Sequence, residues 1–220
     1  MKRHLLPLTV LLLEVAAVAL AWPHLPELSP VHWDFSGAPN GYGSRLEVAL
    51  FGPVMVAFLW ALWRVLPAID PRRREAQRDP EATPEERTGS LDSVMGLVIV
   101  LVAALHGMTL AVATGVIHDV RRAFALAMAA FLLGSGNVFG RLRPGWFVGI
   151  RTPWTLSSPE IWRQTHRLAG RLMVGAGVMG VLVTLLLPGT AAFASVTVLL
   201  LVATGVPAVW SFVLWRRSVA

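Results

Sequence analysis

Residues 94–117 read VMGLVIVLVAALHGMTLAVATGVI, a stretch without one Asp, Glu, Lys or Arg. Coiled as an α-helix at 1.5 Å per residue it would be about 36 Å long, enough to cross the roughly 30 Å hydrocarbon core of a bilayer. A surface helix of a soluble protein would carry a charged face, and this one has none. Working outward, further apolar runs lie at about 5–22, 46–66, 123–140, 168–187 and 192–215. Composition agrees. At 55% hydrophobic and 15% charged, 220 residues carry too little charge to clothe a soluble domain of that size. The expected fold class is all-α: a polytopic membrane protein with six transmembrane helices, solvated by membrane lipids.

The basic residues indicate the sense of insertion. If the runs alternate in direction, every Lys and Arg except Arg45, Arg121 and Arg122 falls on one side. Basic residues resist translocation, so that side is expected to be the cytoplasm, with both termini on it, in a bacterial cytoplasmic (inner) membrane. Arg121 and Arg122, beside Asp119 in a very short turn, are the awkward pair. The net charge of +6 is thus topological, and direct nucleic-acid binding is not expected. The absence of cysteine excludes disulfides, thiolate metal sites and cysteine nucleophiles. The first run ends in Ala21-Trp22-Pro23-His24 without a small-x-small cleavage pattern, so it is expected to stay as an uncleaved first helix.

Residues 1–66 read as a first transmembrane hairpin with an extracellular segment at 23–45, residues 67–93 as a charged, proline-containing cytoplasmic loop, and residues 94–220 as a four-helix membrane region with a cytoplasmic loop at 141–167. Within 23–45, Val31 to Phe35 suits a short extended piece, and Ala38 to Gly43 reads as successive turns, with Pro39-Asn40-Gly41 the strongest signal. Within 141–167, Pro144, Gly145, Gly149 and Pro153 prevent one continuous helix. A new helix starts either with Ser158 as N-cap and Pro159 behind it, or with Ser157 and Glu160 as a capping box. From there Ile161, Thr165, Leu168 and Leu172 share one face, and Arg163, Arg167 and Arg171 another. That pattern suits an interfacial helix that then turns into the fifth span. Trp146, Trp154 and Trp162 suit the interfacial aromatic belt. Gly136 and Gly140 have helix-contact spacing.

Glu14 and His106 both fall near the bilayer centre. A charge there is costly, so each needs a partner or a polar groove. As a pair they would form either a proton or substrate site, or one hydrogen bond locking two helices. On the outer side His32, Asp34, His118 and Asp119 are residue types that hold zinc, but their spacing is not compact. The plainer account is that His32 and Asp34 hydrogen-bond turns while Trp33 and Phe35 pack on the bundle. No cofactor is expected. Ser157, Ser158 and His166 have neither an acidic orienter nor an oxyanion site beside them, so the chain is expected not to be an enzyme.

Two stretches carry a family resemblance. The outer LPELSPVHWDFSGAPNGYGSR, residues 25–45, resembles the DUF1648 signature, and the inner NVFGRLRPGWFVGIRTPWTLSSPEIWRQTHRLAGR, residues 137–171, resembles that of the SdpI family. The latter comprises bacterial multipass proteins linked to immunity against a secreted toxic peptide. The resemblance implies outer recognition by His32, Trp33, Asp34, Gly37, Gly41 and Tyr42. It implies a cytoplasmic partner surface at Asn137, Gly149, Arg151, Thr152, Pro153, Trp154, Thr155, Trp162, His166 and Arg167. The implied function is an integral membrane immunity or sensor protein, with an extracellular toxic peptide as ligand and a cytoplasmic transcriptional repressor as partner. Two rivals stand beside it: a small proton-coupled transporter or permease using Glu14 and His106, and a structural or assembly protein of the cell envelope.

Overall fold

A computed structural model describes residues 2–69, 78, 91–144 and 147–219. The chain runs α1 (Lys2–Ala21), a 3-10 turn (Trp22–His24), β1 (Leu28–Trp33), β2 (Pro39–Ser44), α2 (Arg45–Ile69), α3 (Leu91–Ala113), α4 (Val120–Phe139), α5 (Pro153–Ser157), α6 (Pro159–Leu186) and α7 (Gly189–Val219). Among the described residues, α1, α2, α3, α4, α6 and α7 are the six helices long and apolar enough to cross a membrane. Their burial is the inverse of a soluble fold: Leu20 and Leu186 are 78% and 80% exposed, while Glu14 and His106 are 5% and 2% exposed. In water each exposed leucine would forgo about 1.5–3 kcal/mol of burial; against lipid tails the penalty vanishes. The molecule is a multi-pass membrane protein. An even number of crossings places both termini on one face, here the termini face, and β1–β2 on the other, the hairpin face.

The helices pack as two groups. α1, α2 and α3 pack on one another, as do α4, α6 and α7, and α3 against α4 joins the groups. The first group has one core of Val10, Val56, Trp63, Leu91, Met95 and Ile99. A second core, towards the hairpin face, joins Leu25, Val48, Ala49 and Leu110. Without water to drive helices together, close backbone approach holds α4 on α6. A Cβ on Gly136 would lie 2.7 Å from the Gly170 carbonyl oxygen, and one on Gly170 would lie 2.7 Å from the Gly140 nitrogen. The helix-contact spacing at Gly136 and Gly140 therefore serves a crossing inside this chain.

Three expectations are corrected. The all-α bundle carries a two-stranded antiparallel sheet, and Pro39–Ser44 is its second strand, not a run of turns. The reversal lies earlier, where the Asp34 carboxylate accepts from Ser36 N, Ser36 Oγ and Ala38 N at 2.8, 2.6 and 3.0 Å. Gly37, at φ +82°, supplies the left-handed residue the turn needs. Asn40-Gly41 had the chemistry of a turn, but the Asp34 side chain had already made one. Second, no interfacial helix turns into the fifth span: α6 is one helix of 28 residues, so its amphipathic start projects as a continuation of the span. Ser158 is its N-cap, accepting from Ile161 N at 3.4 Å, and the Ser157–Glu160 capping box is not formed. Third, Trp162 is 1% exposed and so is a core residue rather than part of an aromatic belt; Trp146 lies outside the described residues. Of the charged loop read over 67–93, α2 takes residues up to Ile69, and positions 70–77 and 79–90 lie outside the described residues.

Candidate functional site

The hairpin is irregular where it meets the bundle. Pro30 pairs with Tyr42 and His32 with Gly41, so Val31 is an extra residue on β1; Trp33 then pairs with Pro39, leaving Asn40 extra on β2. In a regular strand successive side chains alternate between faces. The bulges break that alternation, and Val31, His32 and Trp33 all line one cavity of about 380 Å³. Its other walls are Asp34 and Gly37 of the hairpin turn, Phe51 of α2, Leu105, Met108 and Thr109 of α3, Val120, Arg121 and Phe124 of α4, and Phe193 of α7. His106 forms part of its lining at depth. The cavity thus runs from the polar hairpin to a buried imidazole, between the two helix groups.

Behind that imidazole is Glu14. His106 Nδ1 and Glu14 Oε2 share a short hydrogen bond, and His106 Nε2 lies 2.9 Å from the Val48 carbonyl oxygen. A carbonyl only accepts, so Nε2 carries a hydrogen and donates it. One proton then lies between Nδ1 and Glu14, either on the acid or on the ring. The two forms have the same net charge, zero, which is what a buried site tolerates. Helix α2 makes room for the pair through Gly52, where a Cβ would sit 2.0 Å from His106 Nδ1 and 2.2 Å from Glu14 Oε2. The sequence could place Glu14 and His106 at one depth but not on touching faces. Gly52 was missed, since a glycine in an apolar run carries no signal of what it faces.

The remaining outer candidates divide. His32 is exposed and bonds the Asn40 side chain. Trp33 is half-buried against the cavity, Gly41 lies directly beneath the His32 side chain, and Tyr42 is exposed. The Ser36 hydroxyl, aided by the Ala38 and Ser36 amides, holds the Asp34 carboxyl below the ordinary carboxylate range. His118 is exposed, whereas Asp119 caps α4, accepting from Arg122 N at 3.2 Å. Among the described residues no three His, Asp or Glu side chains gather closely enough to hold a metal ion. The three basic residues on this face all have structural settings. Arg45 lies over the Trp22 ring at 4.2 Å, Arg122 donates to the Leu187 carbonyl at 2.7 Å, and Arg121 lines the cavity. Sequence reasoning did not name Arg121 as a site residue, yet its breach of the charge rule was the signal available.

On the termini face, the segment before α6 folds into a cap. Thr152 is the N-cap of α5 in a capping box with Thr155, whose hydroxyl also donates to the Ile150 carbonyl at 2.8 Å. Pro153 opens the helix, and Trp154 Nε1 donates to Ser211 Oγ, docking α5 on α7. His166 Nε2 accepts from Ile150 N at 2.9 Å, so Nδ1 bears the hydrogen and donates to the Trp162 carbonyl at 2.8 Å. With both ring nitrogens engaged, His166 is a neutral structural fastener, not a base. Its ring stacks on Trp162 at 4.0 Å, and Trp162 Nε1 donates to the Leu142 carbonyl at 2.8 Å. Gly149, at φ +115°, passes so close that a Cβ would lie 2.6 Å from His166 Nε2. The inner candidates therefore separate: Gly149, Thr152, Trp154, Thr155, Trp162 and His166 build the cap, while Asn137, Arg151 and Arg167 are exposed and able to meet another molecule.

Comparison with known proteins fits this division. Residues 141–214, which contain the cap, α6 and most of α7, match the SdpI/YfhL protein family. Residues 9–57, which contain Glu14, the hairpin and Gly52, match a domain of unknown function, DUF1648. The immunity protein SdpI of Bacillus subtilis (strain 168) is 21% identical over 177 residues, spanning 80% of this chain and 79% of that protein. No solved structure matches. His106 and Arg121 lie between the two matched segments, although the fold sets them against the first. The cap thus falls within a region of the SdpI/YfhL family, residues 141–214, and the hairpin within an N-terminal DUF1648 domain, residues 9–57.

Proposed function

We propose that this is a non-enzymatic immunity or sensor protein of a bacterial cytoplasmic membrane that meets a toxic peptide on the hairpin face. The observation that carries this reading is the cavity shared by the hairpin, α2, α3, α4 and α7, because an event at β1 there reaches His106 and both helix groups. The positive-inside distribution supports putting the termini and the cap in the cytoplasm. There the exposed Arg151, Arg167 and Asn137 are suited to hold a cytoplasmic transcriptional repressor. Signalling would require that peptide binding favour one of two arrangements of the helix groups. The direct test is expression in cells killed by a candidate peptide. Unchanged killing with the protein correctly inserted rejects immunity to that peptide. Because the chain has no cysteine, Ser36→Cys alone tests the orientation: it labels from outside intact cells with an impermeant maleimide under this reading.

A second reading, proton-coupled transport, is favoured by the Glu14–His106 pair, whose imidazole lines the cavity. Its test is solute flux in liposomes under a pH gradient. Background rates across a panel of small solutes would count against it.

A further inference from the structure

Arg121 is the one arginine lining the cavity, and it is poorly satisfied. Among the described residues its ion pair is with Asp119, Nε to Oδ1 at 4.0 Å, the outer limit of a contact. Asp34, which also lines the cavity, is turned to its own turn through Oδ1, which accepts from three donors there. The Arg121 stem is held in place by the hairpin tip, since a Cβ on Gly37 would lie 2.9 Å from its Cδ and Nε. A planar fork of donors is therefore fixed beside a cavity whose other walls include Phe51, Leu105, Met108, Phe124 and Phe193. The complement of that surface is an apolar body ending in one anionic group.

The hairpin decides what kind of body. β1 borders the cavity, with β2 on one side and no strand on the other. Such an edge offers backbone donors and acceptors to an extended chain, which a lipid tail cannot use. The volume, about 380 Å³, lies near the lower end of the roughly 300–1,000 Å³ of small-ligand pockets. That is room for the end of a peptide and not for a folded domain. We infer that the cavity takes the free C-terminus of an apolar peptide. The terminal carboxylate lies on Arg121, the last side chains sit among Phe51, Phe124 and Phe193, and the preceding backbone runs along the edge of β1 that β2 does not pair. This rests on the reading that the hairpin face meets a peptide, and it names the part of the peptide recognised.

The test uses the full chain in phosphatidylcholine nanodiscs, with empty discs as the partitioning blank. The probe is a fluorescein-labelled pentapeptide, Leu-Leu-Leu-Phe-Leu, with a free C-terminal carboxylate or a C-terminal amide, followed by anisotropy. The wild type is expected to bind the acid at least about tenfold more tightly than the amide. Arg121→Gln abolishes that preference without weakening the amide, and Arg121→Lys keeps part of it. Size-exclusion profiles identical to wild type show that the variants fold. Equal binding of acid and amide, no protein-dependent binding, or a preference that survives Arg121→Gln overturns the inference. A preference that disappears when anionic phosphatidylglycerol replaces the disc lipid assigns Arg121 to a headgroup and overturns it too. An intact acid preference in a protein that gives cells no protection sinks the immunity reading alone.

Discussion

Replacing Gly52 by alanine adds one methyl group at the point where α2 passes against the hydrogen-bonded Glu14–His106 pair. The new Cβ would stand 2.0 Å from His106 Nδ1, 2.2 Å from Glu14 Oε2 and 2.4 Å from His106 Cγ. No rotamer change in alanine can relieve that, so the carboxyl and imidazole must part. Breaking a buried pair by removing one partner costs about 3–5 kcal/mol. Alanine returns roughly 1 kcal/mol through helix propensity. The net loss is then about 2–4 kcal/mol, which for a chain of this size corresponds to a Tm lower by roughly 5–15 °C. Two matched substitutions calibrate the propensity term, because a Cβ on Gly107 or Gly175 would meet nothing within 4 Å. Gly107→Ala and Gly175→Ala are expected to match wild type or exceed it slightly. Thermal scans by intrinsic tryptophan fluorescence in one detergent compare all four proteins. A Gly52→Ala variant as stable as Gly107→Ala would refute the placement of the Glu14–His106 pair against α2.

Other substitutions probe the same logic elsewhere. Glu14→Leu and His106→Leu each leave one buried polar group without its partner and should lower Tm, whereas the double variant should lie above both; a double variant equal to the sum of the singles argues against direct pairing. Gly149→Ala combines an unfavourable positive φ, costing about 1–3 kcal/mol, with displacement of His166. It should expose the segment 141–157 to limited proteolysis while α1–α3 stay protected. His166→Phe keeps the stacking on Trp162 but loses both ring hydrogen bonds, and the same proteolysis should report an intermediate opening. Because the Ser36 hydroxyl and neighbouring amides hold the Asp34 carboxyl below its ordinary range, the turn is stabilised whenever that group is ionised. This stabilisation is present above the unfolded-state pKa and lost as pH falls through the lower folded value. Amide exchange at Ser36 and Ala38, corrected for intrinsic rate, should show constant protection from neutral pH into the ordinary carboxylate range and lose it below; loss already near neutral pH would contradict the turn.

Resemblance of residues 25–45 and 137–171 to known signatures pointed to the right segments, but not to what each residue does. Most of the inner signature is consumed in building the cap, as His166 shows: its two ring nitrogens are spent on Ile150 and Trp162. Arg121 stood outside both signatures and was visible only as an exception to the charge rule. The turn at Asp34 was misplaced because Asn40-Gly41 and Asp34-Ser36-Gly37 are both competent to reverse the chain. Which one does so depends on the register that lets Gly41 and Gly43 pass beneath β1.

What the sequence by itself determined is which six stretches are apolar and long enough to lie in hydrocarbon, and in what order they follow one another. That depends on transfer free energies summed along one dimension, as 94–117 shows. Only the tertiary structure decided how each helix is rotated and which neighbour it touches. Lipid solvates an apolar side chain as well as a neighbouring helix does, so hydropathy assigns no inward face. The inward faces are selected by features without a linear signature: the gap at Gly52, the carbonyl of Val48 and the bulge at Val31. For that reason the pairing of Glu14 with His106, and the cavity that leads to it, appear only when the helices are assembled.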